Sequence, residues 1–355
     1  MRSARTANPT RRAGIGASLV PVLVLAACGG SPRLPPQLSS PDGFVLGTAL
    51  TDDRAALDNQ TYRAVLKQNF GSITPDKALK WGVVHPEPGQ YVWNRADEAM
   101  AVAEQNGQRV RGHALLWHGA MPGWVKPRAT TCQEARAVLK DHITAVAGRY
   151  RGRIWHWDVA NEIFQPDGQL RRDENPFLKA CGADIVADAF RWTHEVDPEA
   201  RLYLNDYSTL EGGAKADAQY GLVAKLVRDG VPIHGVGFQG HEQVSTGVPE
   251  RAAAELQRYA GLGLEVMITE ADVRMKVPVS DGKKAFAQQA EVYRGLLDLC
   301  LKQRKCVGFT VWGFTDRWSW VVETIPNQGN ACVMDREMNA RPAWAALSER
   351  LAEGR

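Results

Sequence analysis

From residue 44 onward the chain repeats one pattern eight times: a short apolar run, then a longer amphipathic stretch. The runs are FVLGTAL (44–50), FGSITP (70–75), RVRGHALLW (109–117), IWHWDVA (154–160), RLYLND (201–206), GVGFQ (235–239), EVMITE (265–270) and VGFTVWG (307–313). Runs of this length suit strands buried on both faces, as in a parallel sheet. The stretches between them carry helical periodicity: Leu139, Ile143, Val146, Ala147 and Tyr150 fall on one face, as do Phe286, Ala290, Tyr293, Leu297 and Leu301. Eight β-then-α units predict an α/β protein with a single (β/α)₈ barrel. An open doubly wound sheet is disfavoured, because no GxGxxG turn follows an early run.

A barrel of this kind places its chemistry at the carboxyl ends of the strands, so the residues that end each run matter most. The third ends near His113, Trp117 and His118, the fourth on Asn161 and Glu162, the fifth on Asn205 and Asp206. Gln239 ends the sixth with His241 just beyond, Glu270 ends the seventh with Asp272 beyond, and Trp312 lies in the eighth. A lone strand-end carboxylate is often only solvated, and a lone asparagine often caps a helix. Acids, amides and indoles gathered on one rim point instead to a reaction. Glu162 and Glu270 come from strands nearly opposite each other in an eight-membered ring. That arrangement suits glycoside hydrolysis, which needs one carboxyl to protonate the leaving group and one ionised carboxylate across from it.

Residues 44–350 resemble the family 10 glycoside hydrolases, retaining endo-β-1,4-xylanases with a (β/α)₈ barrel. WDVANE resembles that family's acid/base strand and ITEADV its nucleophile strand, with RGHALLWH, LNDYS, GFQGH and VWGFTDRWSW in matching order. The resemblance implies Glu162 as the acid/base, Glu270 as the nucleophile, and double displacement on xylan or xylo-oligosaccharides. It implies that Asn161 bonds the hydroxyl next to the reacting carbon. His241 and Asp272 would orient Glu270, and Gln239 and Asn205 would complete the network. Lys80, His113, Trp117, Trp312 and Trp320 match residues that hold the glycone sugars, while Trp155 and Trp157 are expected in the core. TPDKALKW departs from the family pattern: Asp76 replaces a glutamate and Lys77 an asparagine, and Ala120 stands where a glutamine is frequent. The second glycone subsite is therefore expected to be altered, either weakened for plain xylose or adapted to short or glucuronic-acid-bearing oligosaccharides. Mixed xylan and glucan activity is the further alternative.

No cofactor is expected. CxxC and HExxH spacings are absent, and His113, His118, His156 and His241 lack the paired spacing of a metal-dependent barrel hydrolase. A sugar-binding barrel without turnover is disfavoured by the presence of both glutamates.

Residues 1–27 read as an export signal, with Arg2, Arg5, Arg11 and Arg12, no acid, and an apolar segment from about 15 to 27. Those arginines exceed the whole formal charge of +3, so the remainder is slightly acidic and gives no argument for nucleic acid. LAACGG resembles a bacterial lipobox, with Cys28 as the acylated residue. A Pro/Ser-rich segment over 28–43 reads as a tether from the membrane. The expectation is a monomer at the bacterial envelope, or periplasmic or extracellular, touching a membrane only through Cys28. Of the other five cysteines, Cys300 with Cys306 can bridge a helix end to the next strand, Cys132 with Cys181 is a second candidate pair, and one thiol remains.

Overall fold

The structure is a computed structural model and describes residues 37–355. The expected export signal, Cys28 and the first part of the tether lie outside these residues. Leu38 is already packed: it is 4% exposed, and its N–H donates to Asn69 Oδ1 at 2.9 Å. The folded domain thus begins about six residues before the position expected from the sequence, because Leu38 joins the hydrophobic core ahead of the first strand.

Strands β1 (Val45–Leu50), β2 (Ser72–Pro75), β3 (Arg109–Leu116), β4 (His156–Asn161), β5 (Arg201–Asp206) and β6 (Gly235–Phe238) pair in parallel, each with the next. A three-residue strand, β7 (His241–Gln243), intervenes before β8 (Glu265–Lys276). Strands β6, β8 and β9 (Cys306–Val311) then pair in parallel, and β9 returns to β1, closing an eight-stranded barrel. The two-residue strand β10 (Gln328–Gly329) pairs antiparallel with β8. All eight expected barrel strands are present, so the fold is the (β/α)₈ barrel.

Helices follow the amphipathic stretches. The helix Cys132–Arg149 starts with a capping box, in which Thr131 accepts from the Glu134 N–H while Glu134 accepts from the Thr131 N–H. It buries Leu139, Ile143, Val146 and Ala147 against the barrel. The helix Gly282–Lys302 likewise buries Ala290, Tyr293, Leu297 and Leu301. Trp157 is fully buried in the core, as expected. Trp155 is half-buried and stacks on His156 with ring centroids 3.6 Å apart.

The seventh barrel strand corrects the sequence expectation. It does not end at Glu270 but continues to Lys276. Beyond Ile268 it leaves β6 and takes new partners: Asp272, Val273 and Arg274 pair with His241, Glu242 and Gln243. Gly240, at φ +78°, makes the turn from β6 into β7 that offers these partners. Glu270 therefore sits on paired backbone rather than in a loose loop.

Among the described residues two disulfides are formed, Cys132–Cys181 and Cys300–Cys306, and Cys332 is a buried free thiol.

Candidate active site

The carboxyl ends of β2, β3, β4, β5, β6, β8 and β9 surround a cleft of ≈ 510 Å³. Asp76, Lys77, Lys80, His113, Trp117, Glu162, Gln239, His241, Glu270, Trp312 and Trp320 line it, all of them expected from the sequence. Tyr207, Ser208, Arg274, Glu323, Thr324 and Ile325 line it as well and were not assigned a role from the sequence. Ala120 does not. Its carbonyl accepts from the Gly82 N–H at 2.8 Å, within the loop that follows β3.

β4 brings its side chains to the site by a change of phase. A register shift between Asp158 and Ala160 allows Asp158 and Asn161, three residues apart, both to face the barrel interior. Glu162 then adopts φ +51°, a left-handed conformation that is costly for a residue with a Cβ and recurs at functional sites. Its backbone is held on both sides, since its N–H donates to the Asn205 carbonyl at 3.0 Å and its carbonyl accepts from Arg171 Nε at 3.1 Å. Arg171 also donates to the Tyr207 hydroxyl at 2.8 Å, tying the loops after β4 and β5 together. In the cleft, Glu162 Oε1 accepts from Gln239 Nε2 and Oε2 from Trp117 Nε1, each at 3.0 Å.

Glu270 has different surroundings. It is 4% exposed, and its Oε1 accepts from Asn205 Nδ2 at 2.7 Å. His241 Nε2 lies 3.3 Å from Oε2, and His113 Nδ1 lies 4.0 Å from Oε1. Burial alone would raise this carboxyl. The His241 hydrogen bond and the charges of His113, His241 and Arg111 outweigh it and lower the pKa to about 2. Burial also opposes the His241 cation, but Asp272 and Glu270 push its pKa up to about 10. Asp272 is itself placed by Trp320, whose Nε1 donates to Oδ2 at 2.7 Å. Trp320 is therefore more than an apolar face on the cleft: it anchors the residue that holds His241.

Asn205, fully buried, joins the two sides of the site. Its Nδ2 serves Glu270 and, at 2.9 Å, Asn161 Oδ1, while its Oδ1 accepts from Thr269 Oγ1 at 2.6 Å. Gly237 makes room for it, because a Cβ there would stand 2.2 Å from Asn205 Oδ1. Asn161 differs from expectation in its position. It is fully buried behind the cleft wall, bonded to Asn205 through Oδ1, with Nδ2 unpartnered among the described residues. Asp272 is equally buried and supports the site without lining it.

Beneath the cleft, Asp158 accepts a short hydrogen bond from Arg111 and lies 2.8 Å from His113 Nδ1. His113, Asp158 and Glu270 have the donor set of a small cation site. The guanidinium of Arg111 already supplies positive charge to that group, and His113 is engaged with Asp158. Arg111, Asp158 and His113 form a hydrogen-bonded chain beneath Glu270. Lys80 bridges Asp76, with Nζ 3.3 Å from Oδ1, and the Trp117 ring, with Nζ 5.1 Å from its centroid. Lys77 faces Glu323 at 3.6 Å.

The site thus offers one half-buried carboxyl facing the cleft between an amide and an indole. In the same cleft stands a buried carboxylate held ionised by an amide, two imidazoles and a guanidinium. The chain matches the family model for glycosyl hydrolase family 10 over residues 37–350. Endo-1,4-beta-xylanase 5 of Pyricularia oryzae is 41% identical over 310 residues, which are 86% of this chain and 75% of that protein. The beta-1,4-xylanase of Dictyoglomus thermophilum is 40% identical over 293 residues, 79% of this chain and 80% of its own. The crystal structure of xylanase 10B from Thermotoga petrophila RKU-1 in complex with xylobiose superimposes with a TM-score of 0.84 at 35% identity, covering 88% of this chain and 94% of that one.

Proposed function

The chain belongs to glycosyl hydrolase family 10, and we propose that it is a retaining endo-1,4-β-xylanase acting on xylan or xylo-oligosaccharides. The observation that carries this reading is the contrast between the two carboxyl groups. Glu270, with its pKa lowered to about 2, is ionised at any working pH and acts as the nucleophile on the anomeric carbon. Glu162 faces the cleft, protonates the leaving oxygen, and then takes a proton from the water that releases the glycosyl-enzyme. Bonds and charge balance without a cofactor: the Glu270–sugar bond forms as the glycosidic C–O bond breaks, and then water bonds to the anomeric carbon, giving its proton to Glu162, as the Glu270–sugar bond breaks.

His241, fixed by Asp272 and Trp320, orients Glu270 and stabilises its charge. Asn205 holds Glu270 and Asn161 in one frame, and the free Nδ2 of Asn161 suits the hydroxyl beside the reacting carbon. Trp312, Trp320 and Trp117 offer indole surface to the CH faces of pyranose rings, with Lys80 and His113 placed for hydroxyls on the glycone side. The second glycone subsite differs from the family pattern at Asp76 and Lys77, which line the cleft, while Ala120 stands outside it. The Lys77 ammonium, which could meet a glucuronic acid, faces Glu323 at 3.6 Å.

The leader residues and the two disulfides support export to an oxidising compartment, with acylation at Cys28 as the anchor. Mass analysis of the mature N-terminus tests the anchor: a diacylglycerol-modified Cys28 is expected, and an unmodified cleavage product contradicts it. For the activity, the test is product analysis on linear xylan and glucuronoxylan. Short xylo-oligosaccharides should accumulate, and Glu270→Gln should abolish them while leaving the protein folded. Xylan untouched by the parent protein would refute the assignment.

A further inference from the structure

Lys77 and Glu323 both line the cleft, Lys77 in the loop after β2 and Glu323 on the short helix Trp320–Thr324. Their 3.6 Å ion pair joins these two segments. Lys77 has no competing acid beside it, because neighbouring Asp76 is engaged by Lys80. Asp76, Lys77, Trp320 and Glu323 line the cleft, and the same four residues also line a second, polar cavity of ≈ 440 Å³ that includes Asp52 and Arg95. The ion pair thus marks the border between two spaces. The cleft also shares Ser208, His241 and Arg274 with a further cavity of ≈ 440 Å³, and among the described residues no ion pair joins those shared residues across it.

We propose that the Lys77–Glu323 ion pair is a bar across the glycone end of the cleft, one that sets how many sugar rings a linear xylo-oligosaccharide places on that side of the cut. The proposal rests on the xylanase reading and on the glycone assignment of the Lys80 side. With the bar closed, productive binding uses the rings that fit between the pair and Glu270. With it open, the chain continues into the polar cavity behind, and a longer glycone fragment results. The two side chains are 48% and 66% exposed, so the pair is weak and opens readily. Opening leaves the nucleophile undisturbed, since Trp320 on the same helix stays anchored to Asp272. The substrate is uncharged, and salt therefore acts on the bar rather than on attraction of the sugar.

The experiment is cleavage of xylohexaose carrying ¹⁸O at its reducing end, with the cut bond read by mass spectrometry. Glu323→Gln should shift cleavage toward longer glycone fragments by about two- to fivefold, the range a weak exposed pair can move an equilibrium. About 1 M salt, which screens charges beyond about 3 Å, should move the parent enzyme the same way and leave the variant unmoved. Lys77→Glu or Glu323→Lys alone should open the bar, and the two together should restore the parent pattern. An unchanged pattern in Glu323→Gln, or a double exchange that behaves like the single ones, overturns the bar alone. A parent enzyme that cleaves no xylo-oligosaccharide overturns the xylanase reading and the bar with it.

Discussion

His241 Nε2 lies 3.3 Å from Glu270 Oε2, while the other ring nitrogen lies 2.9 Å from Asp272 Oδ2. One imidazolium between two carboxylates keeps Glu270 ionised although the site is buried. Replacing it by asparagine removes the cation and keeps a polar group, so Glu270 becomes harder to ionise. The acid limb of the kcat/KM profile should move to higher pH in His241→Asn.

The same pair makes stability depend on pH in a definite direction. Glu270 is depressed on folding, so its contribution is present above its ordinary 4.5 and lost as pH falls through about 2. His241 is raised, so its contribution is complete below 6.5 and lost as pH climbs through about 10. Tm measured against pH should decline on the alkaline side for the parent protein, and His241→Asn should flatten that decline.

Arg171 bonds the carbonyl of Glu162 and the hydroxyl of Tyr207, holding a backbone turned to φ +51°. Arg171→Met keeps the bulk and removes both bonds, along with those to the Phe164 carbonyl and to Glu174. It should lower kcat with little change in KM, because the misplaced group is a proton donor rather than a sugar contact. An equal rise in KM would indicate a role in binding instead.

Asn205 donates to Glu270 at 2.7 Å from a fully buried position. A hydrogen bond to a charged group is worth about 1.5–3 kcal/mol, so Asn205→Ala should reduce kcat by about 10- to 100-fold. Gly237→Ala should reproduce part of that loss without touching substrate, because the added methyl would displace the Asn205 amide.

The Cys132–Cys181 bridge closes a loop of 49 residues and Cys300–Cys306 a loop of six. On a chain-entropy basis they restrict the unfolded state by about 4 and about 2 kcal/mol respectively. Replacing both cysteines of the longer bridge by alanine should lower Tm more than the same change in the shorter one.

The barrel was legible because each buried strand is a compact apolar run, and the rim because polar residues interrupt those runs where the chain reaches the cleft. β8 outran its expected end because ADVRMK still alternates after Glu270, with Val273 and Met275 buried and the intervening residues polar. Its true limit is set by β7, a partner too short to read as a strand. Arg111, Asp158 and Thr269 were missed for a different reason. Each sits inside a strand, and its purpose lies in a hydrogen-bond partner from another strand. Arg171 and Tyr207 belong to loops whose contacts form only when the barrel closes. Lys77 stood out by its departure from the family pattern, but its partner Glu323 is 246 residues away in sequence and becomes visible only in three dimensions.

The central claim is double displacement by Glu270 with Glu162 as acid/base, and the configuration of the freshly released sugar tests it most directly. Proton NMR of the anomeric region during the first minutes of xylo-oligosaccharide hydrolysis, before mutarotation, should show the β-anomer first and the α-anomer appearing later. Initial release of the α-anomer would mean single displacement by water and would contradict the nucleophilic role of Glu270.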